Sequence, residues 1–155
     1  MTTEELFGES IVGYKSPSFE VDVEKGRLRQ FCNAIGERAA VFTDEKEAIR
    51  AGFRSIPAPP TFLFCLEMER EDPYDWFKKL SIPLGNVLHG EQNFTYHEMV
   101  CAGYTIKFSG KVVDAYSKKS GALKFIVHRN YVSFQDGTSA AEFDRTIVIQ
   151  SRNEG

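Results

Sequence analysis

The sequence predicts an α+β domain in which an antiparallel sheet of about five strands closes around one central apolar helix. Two observations predict it. Residues 55–69 read as a proline-stiffened entry followed by a helix that is apolar on almost every side. From Val87 to the end, the pattern is strand, turn, strand, with turns too short to hold a crossover helix.

The helix sets the architecture. Pro59 and Pro60 suit a first helical turn, where amide hydrogens have no intrahelical partner, so the helix starts near one of them. Between Phe62 and Met68 only Glu67 is charged, and a surface helix with a single apolar stripe would not carry that composition. It has to be wrapped on several sides, and the sheet that follows is what can wrap it.

The 155 residues form one domain, 1–155, by size. A charged fraction of 26% and a net charge of -3 argue against nucleic acid or an anionic membrane as a partner. Cys32, Cys65 and Cys101 are odd in number, widely spaced and set among apolar neighbours, which fits reduced buried thiols and a cytoplasmic location. The acidic N-terminus is not followed by a signal-length apolar run, and no stretch approaches membrane-spanning length. Thirteen Phe and six Tyr can fill a core or line an apolar tunnel, and composition does not separate the two.

In chain order, residues 1–17 read as a polar arm or loop reaching across the domain. Phe19, Val21 and Val23 alternate with Glu20 and Asp22 as in a half-buried strand. Residues 24–35 switch to helical spacing, with Leu28, Phe31, Cys32 and Ile35 on one side and Gly36 as the stop. Thr43 or Asp44 caps a short second helix, with Glu45 and Glu47 in its first turn and Gly52 at its end. Residues 69–83 form a polar flap or irregular segment carrying Trp76 and Phe77. Strands are expected at 87–96, 105–116, 123–134 and 141–150, the last two joined around Asp136 and Gly137. A sheet closing in this order around a helix is the hot-dog arrangement.

Three stretches, 30–37 (QFCNAIGE), 56–62 (IPAPPTF) and 88–94 (LHGEQNF), resemble the MaoC-like dehydratase family, in its N-terminal, FAS1-type dehydratase region branch. That branch includes the non-catalytic subunits of hydroxyacyl-thioester dehydratases. The resemblance implies a hot-dog fold, an acyl-CoA or acyl-carrier-protein thioester as ligand, and a two-domain active unit. It implies an (R)-specific enoyl-thioester hydratase or 3-hydroxyacyl-thioester dehydratase, built as a homodimer or as a heterodimer with a catalytic MaoC-like subunit.

The catalytic members carry a pattern similar to Gly-Asp-x-Asn-Pro-x-His before the central helix. The chemistry needs one group to take a proton from water, another to deliver one to the α-carbon, and a donor for the thioester oxygen as charge gathers there. On this sequence the pattern falls on residues 36–42 (GERAAVF), so Glu37 stands at the Asp position and Phe42 at the His position. The family's oxyanion glycine falls on Pro60, which has no amide hydrogen. The resemblance with these substitutions implies an acyl-binding half with degenerate catalytic residues.

Each candidate has an ordinary reading beside the functional one. Glu37 is a residual acid or a solvated helix-end residue beside Arg38. Pro60, Thr61, Phe62 and Phe64 can line an acyl tunnel or simply pack. Trp76 and Phe77 are favoured for ligand contact because a polar flap needs two large aromatics only if they cover something. In a regular strand His89 and Glu91 share one face and Gln92 takes the other. That places all three at a subunit seam or tunnel mouth, or pairs His89 with Glu91. His128 is expected to face solvent or a dimer partner, and His97 the surface. Lys78, Lys79, Lys118 and Lys119 can meet coenzyme A phosphates or merely solvate turns. Scattered histidines and unpaired cysteines give no metal site, and no cofactor motif is present. Two alternatives stay open: a hot-dog thioesterase using Glu37 or Glu91 to activate water, and a non-enzymatic acyl-thioester-binding subunit.

Overall fold

The computed structural model of the chain describes residues 11–150. The expected N-terminal arm lies largely outside the described residues. Ile11 to Gly13 form a turn, and β1 (Lys15–Asp22) begins four residues before Phe19. It is followed by α1 (Lys25–Ile35), α2 (Glu45–Arg50), α3 (Phe62–Glu67), α4 (Asp75–Lys79), β2 (Val87–Tyr96), β3 (Thr105–Lys118), β4 (Leu123–Phe134) and β5 (Ser139–Gln150). All strand pairs are antiparallel and the sheet order is β1-β3-β4-β5-β2. This is the hot-dog fold.

Local chemistry sets the helix boundaries. Gly36 closes α1 in the left-handed region, φ 75°, and its amide donates to the carbonyls of Cys32 and Asn33. The Asp44 carboxylate caps α2 by accepting from the amides of Lys46 and Glu47. The central helix α3 starts later than the prolines suggest. Pro59 accepts from the Phe62 amide and Thr61 stands at the N-cap, leaving six helical residues. The expected flap contains a helix, α4, whose Trp76 and Phe77 turn inward instead of covering a surface site.

Two apolar clusters fill the concave face of the sheet. The first joins Leu28 of α1 and Phe62, Leu63 and Leu66 of α3 to Ile106, Phe108, Val132 and Phe143. The second joins Trp76, Phe77, Leu80 and Ile82 to Val112, Ile126, Ile147 and Ile149. A polar layer separates them. Read along β4, the inward side chains are Ile126, His128, Asn130 and Val132; along β5 they are Ile149, Ile147, Arg145 and Phe143. His128 is therefore fully buried, contrary to its expected place at the surface. A row of facing residues, Val112, His128, Arg145 and Gln92, crosses four strands at this level.

A bulge redirects β2. His89 pairs with Ile147 and Glu91 with Thr146, so Gly90 is an extra residue. A Cβ on Gly90 would stand 2.8 Å from Val148 Cγ2 and 3.3 Å from the Thr146 carbonyl, so the bulge needs glycine. The extra residue reverses the expected alternation. His89 and Gln92 share the concave face, since their partners Ile147 and Arg145 point there, while Glu91 goes to the convex side with Thr146.

Candidate functional site

The concave face between α3, α4 and β2 is where most of the chemistry-bearing side chains converge. Glu67 ends α3 with no exposure and faces two guanidinium groups, Arg70 at 3.4 Å and Arg145 at 3.5 Å. Arg145 also touches the Met68 sulfur through Nη1 at 3.6 Å and lies against the rings of Phe64 and Trp76. Burial depresses its pKa, partly offset by the Glu67 carboxylate. Across the ladder from Arg145 sits Gln92, both ends of whose amide are buried and without a hydrogen-bond partner. His89 meets Phe64 edge-on, ring centroids 5.5 Å apart.

Deeper in the layer, the Ser16 hydroxyl and His128 Nε2 are 2.6 Å apart, and the Asn130 amide contacts His128 Nδ1 at 3.3 Å. Gly110 leaves the room for this: a Cβ there would be 2.6 Å from His128 Cε1. Burial, reinforced by Arg145 and Arg70, holds His128 down to about 3, so the ring is neutral at physiological pH. A histidine held neutral under an indole and bonded on both nitrogens is not poised to shuttle protons.

A second feature lies at the start of α3. An apolar groove of about 290 Å³ runs between Pro59, Pro60 and Leu63 on one side and Tyr96, Met99 and Val100 on the other. The Tyr96 hydroxyl donates to the Pro60 carbonyl at 2.7 Å, tying the strand end to the helix entry. Thr61 is exposed here and makes no side-chain cap bond, while Phe62 is buried against Phe31.

The structure thus brings Phe64, His89 and Gln92 together and sets Pro60 at the groove, with Thr61 exposed beside it in sequence but not among the lining residues. Trp76 and Phe77 lie in the second core cluster with almost no exposed surface. Glu91 projects from the convex face, where it accepts from the Asn93 amide and makes no pair with His89. Glu37 and Phe42 sit in the segment after α1. The Glu37 carboxylate accepts from the Ala39 amide at 2.7 Å, and the Phe42 carbonyl receives the Cys32 thiol at 3.8 Å. Burial raises the thiol pKa of Cys32, Cys65 and Cys101 above the ordinary value, so none is activated as a nucleophile. Among the described residues no group of three or more His, Cys, Asp or Glu could hold a metal ion, and no helix is long and apolar enough to cross a membrane.

Sequence reasoning missed Glu67, Arg70, His128, Asn130 and Arg145. A signal was available: each of the last three is a polar residue at an inward position of an otherwise apolar period-two run.

The fold and this site define a hot-dog domain of the hydratase and dehydratase kind. The chain belongs to the MaoC-like dehydratases: the family described as "FAS1-like, dehydratase domain region" matches residues 10–143. It is similar to a UPF0336 protein of Saccharopolyspora erythraea, 29% identical over 139 residues that cover 90% of this chain and 86% of that protein. In fold it is similar to a chain of the HadBC (3R-hydroxyacyl-ACP dehydratase) complex of Mycobacterium tuberculosis, TM-score 0.75 at 23% identity, covering 89% of this chain and 96% of that one. A MaoC-like dehydratase superposes with TM-score 0.81 at 19% identity over 94% of this chain but 44% of that chain.

Proposed function

We propose that this chain is the acyl-binding, non-catalytic half of an (R)-specific enoyl-thioester hydratase or 3-hydroxyacyl-thioester dehydratase, completed by a MaoC-like subunit with intact Asp and His. The observation that carries this reading is the pair of substitutions at Phe42 and Pro60. Phenylalanine cannot move a proton, and a proline at the oxyanion position removes the amide that would steady the thioester oxygen. The occupied carboxylate of Glu37, already accepting from Ala39, supports it further.

The sheet supports the pairing. β2 is an edge strand, and Leu88, His89, Glu91 and Tyr96 along it are exposed. An edge of this length is ordinarily covered, and joining two hot-dog sheets covers it. The hetero-complex named for the HadBC chain, and the MaoC-like chain of which this one matches less than half, both favour a second hot-dog domain as the cover. The ligand in this reading is an acyl-CoA or acyl-carrier-protein thioester, whose acyl chain would follow Phe64, His89 and the groove at Pro60.

Hydration of crotonyl-CoA by the purified chain, alone and then mixed with a subunit bearing the intact motif, tests the proposal. Turnover only in the mixture is the expected result. Ordinary enzymatic turnover by the chain alone overturns it.

A further inference from the structure

The polar layer holds more positive charge than it neutralises. Arg145 and Arg70 have side chains only 5% and 8% exposed, and among the described residues Glu67 is the one carboxylate that forms an ion pair with either. His128 is neutral there. Arg70 also borders a cleft lined by Glu71, Asp72 and Asp75, whereas Arg145 has Glu67 as its one carboxylate among the described residues, shares it with Arg70, and lies away from water, where an underpaired charge is destabilising.

Unmet hydrogen-bonding capacity runs through the layer: both Glu67 oxygens, Nε and Nη2 of Arg70, Trp76 Nε1 and Asn130 Oδ1 are buried without a hydrogen-bond partner, and it is densest where Arg145 faces Gln92 across the ladder. Nε and Nη2 of Arg145 are both buried and without a partner, and so are both polar atoms of the Gln92 side chain opposite. Nε and Nη2 form the side-on edge of a guanidinium that takes a carboxylate with two parallel bonds. This protein uses that edge in just this way on its convex face, where Arg129 Nε and Nη2 donate to the two oxygens of Asp144 at 2.7 and 2.8 Å. On Arg145 the same edge meets no polar group among the described residues. The Glu67 carboxylate does not fill it, because its contact is with Nη1.

We infer that the side-on edge of Arg145, with the Gln92 amide as a third donor, is a buried site for a small monovalent anion, a carboxylate being the best geometric match. Water would satisfy the hydrogen bonds but leave the charge unbalanced; an anion answers both. The approach is from the edge of the sheet, where Gln92 and Phe64 are only half-buried and His89 is exposed. This inference does not depend on the proposed role in acyl-thioester chemistry.

The test is thermal unfolding of the intact protein in sodium acetate and in sodium chloride at matched ionic strength, beside Arg145→Met and Gln92→Leu. Arg145→Met leaves Glu67 and Arg70 as a balanced pair, so this variant is expected to fold. For the native protein a rise in Tm is expected, about 4 °C at tenfold excess over Kd and growing with the logarithm of concentration beyond it. The rise should vanish in Arg145→Met and weaken in Gln92→Leu. Titration of the Arg145 Nε–H resonance in a 1H–15N spectrum, assigned by its loss in Arg145→Met, should saturate with the same Kd that the Tm series gives. A larger response to acetate than to chloride identifies a carboxylate site, and equal responses identify a general monovalent-anion site. No saturation of the Arg145 Nε–H shift in the native protein, or a Tm rise equal in Arg145→Met, overturns the inference.

Discussion

The indole of Trp76 lies over the imidazole of His128, ring centroids 4.7 Å apart and planes 19° from parallel. The contact fastens α4 to the middle of the sheet and seals a neutral histidine away from water. It also makes the chain's single tryptophan a reporter on the layer between the two cores.

Acid should loosen this contact first. The folded pKa of His128, about 3, lies below the ordinary 6.5, so between those values the unfolded chain binds a proton that the native one does not. The stability contributed by the neutral ring is complete above about pH 6.5 and falls as pH drops towards 3, by up to about 1.4 kcal/mol per pH unit. Urea midpoints followed by Trp76 fluorescence from pH 7.5 to 4 should decline, and the decline should be shallower by about one proton in His128→Leu. Parallel pH profiles for the two proteins would show that His128 takes up its proton as readily in the fold as in the unfolded chain.

Gly110 is the space that His128 occupies. Adding a methyl group there forces Cβ to within 2.6 Å of the imidazole, so Gly110→Ala should destabilise by about 2–3 kcal/mol. Chemical denaturation measures this. The double variant Gly110→Ala with His128→Ala should recover part of the loss, which two independent defects would not do.

The bulge at Gly90 makes a different demand. Gly90→Ala meets Val148 and the Thr146 backbone, and should cost roughly 1–3 kcal/mol by straightening or displacing the strand. Hydrogen exchange should show the effect concentrated in β2 and its partner β5. Protection lost evenly across the sheet would contradict a local bulge defect.

Glu37 should prove dispensable for turnover. Its carboxylate is engaged with the Ala39 amide, so Glu37→Gln in the complex with a catalytic subunit is expected to keep kcat within about twofold, where loss of a general base typically costs at least a hundredfold. A drop of that larger size would return Glu37 to the catalytic machinery.

Much of the fold was legible because local chemistry agreed with it. Gly36 and Asp44 marked helix ends by backbone permissiveness and side-chain capping, and both stand where that chemistry puts them. The strand at 87–96 was legible to its ends. Which face its residues occupy was not. One glycine in a strand reads equally as a weak spot or a bulge, and only pairing with β5 decides that His89 and Gln92 face inward together. The burial of His128 was hidden for a similar reason. The alternation of β4 gave its side of the sheet, but the helix that covers that side comes from the segment read as a flap. Trp76 and Phe77 did need something to cover, and what they cover is the protein's own second core.

The bulged edge strand bears on how this chain is produced in a cell. Exposed strand backbone adheres to other strands without much regard for sequence, and a chain made in excess of its cover is the one at risk of clumping. The kink at Gly90 limits that risk, because a straight strand cannot run past it in unbroken register. If the proposed second hot-dog domain is what covers this edge, synthesis in step with it would limit such clumping, and a shortage of it would show first as lost protein.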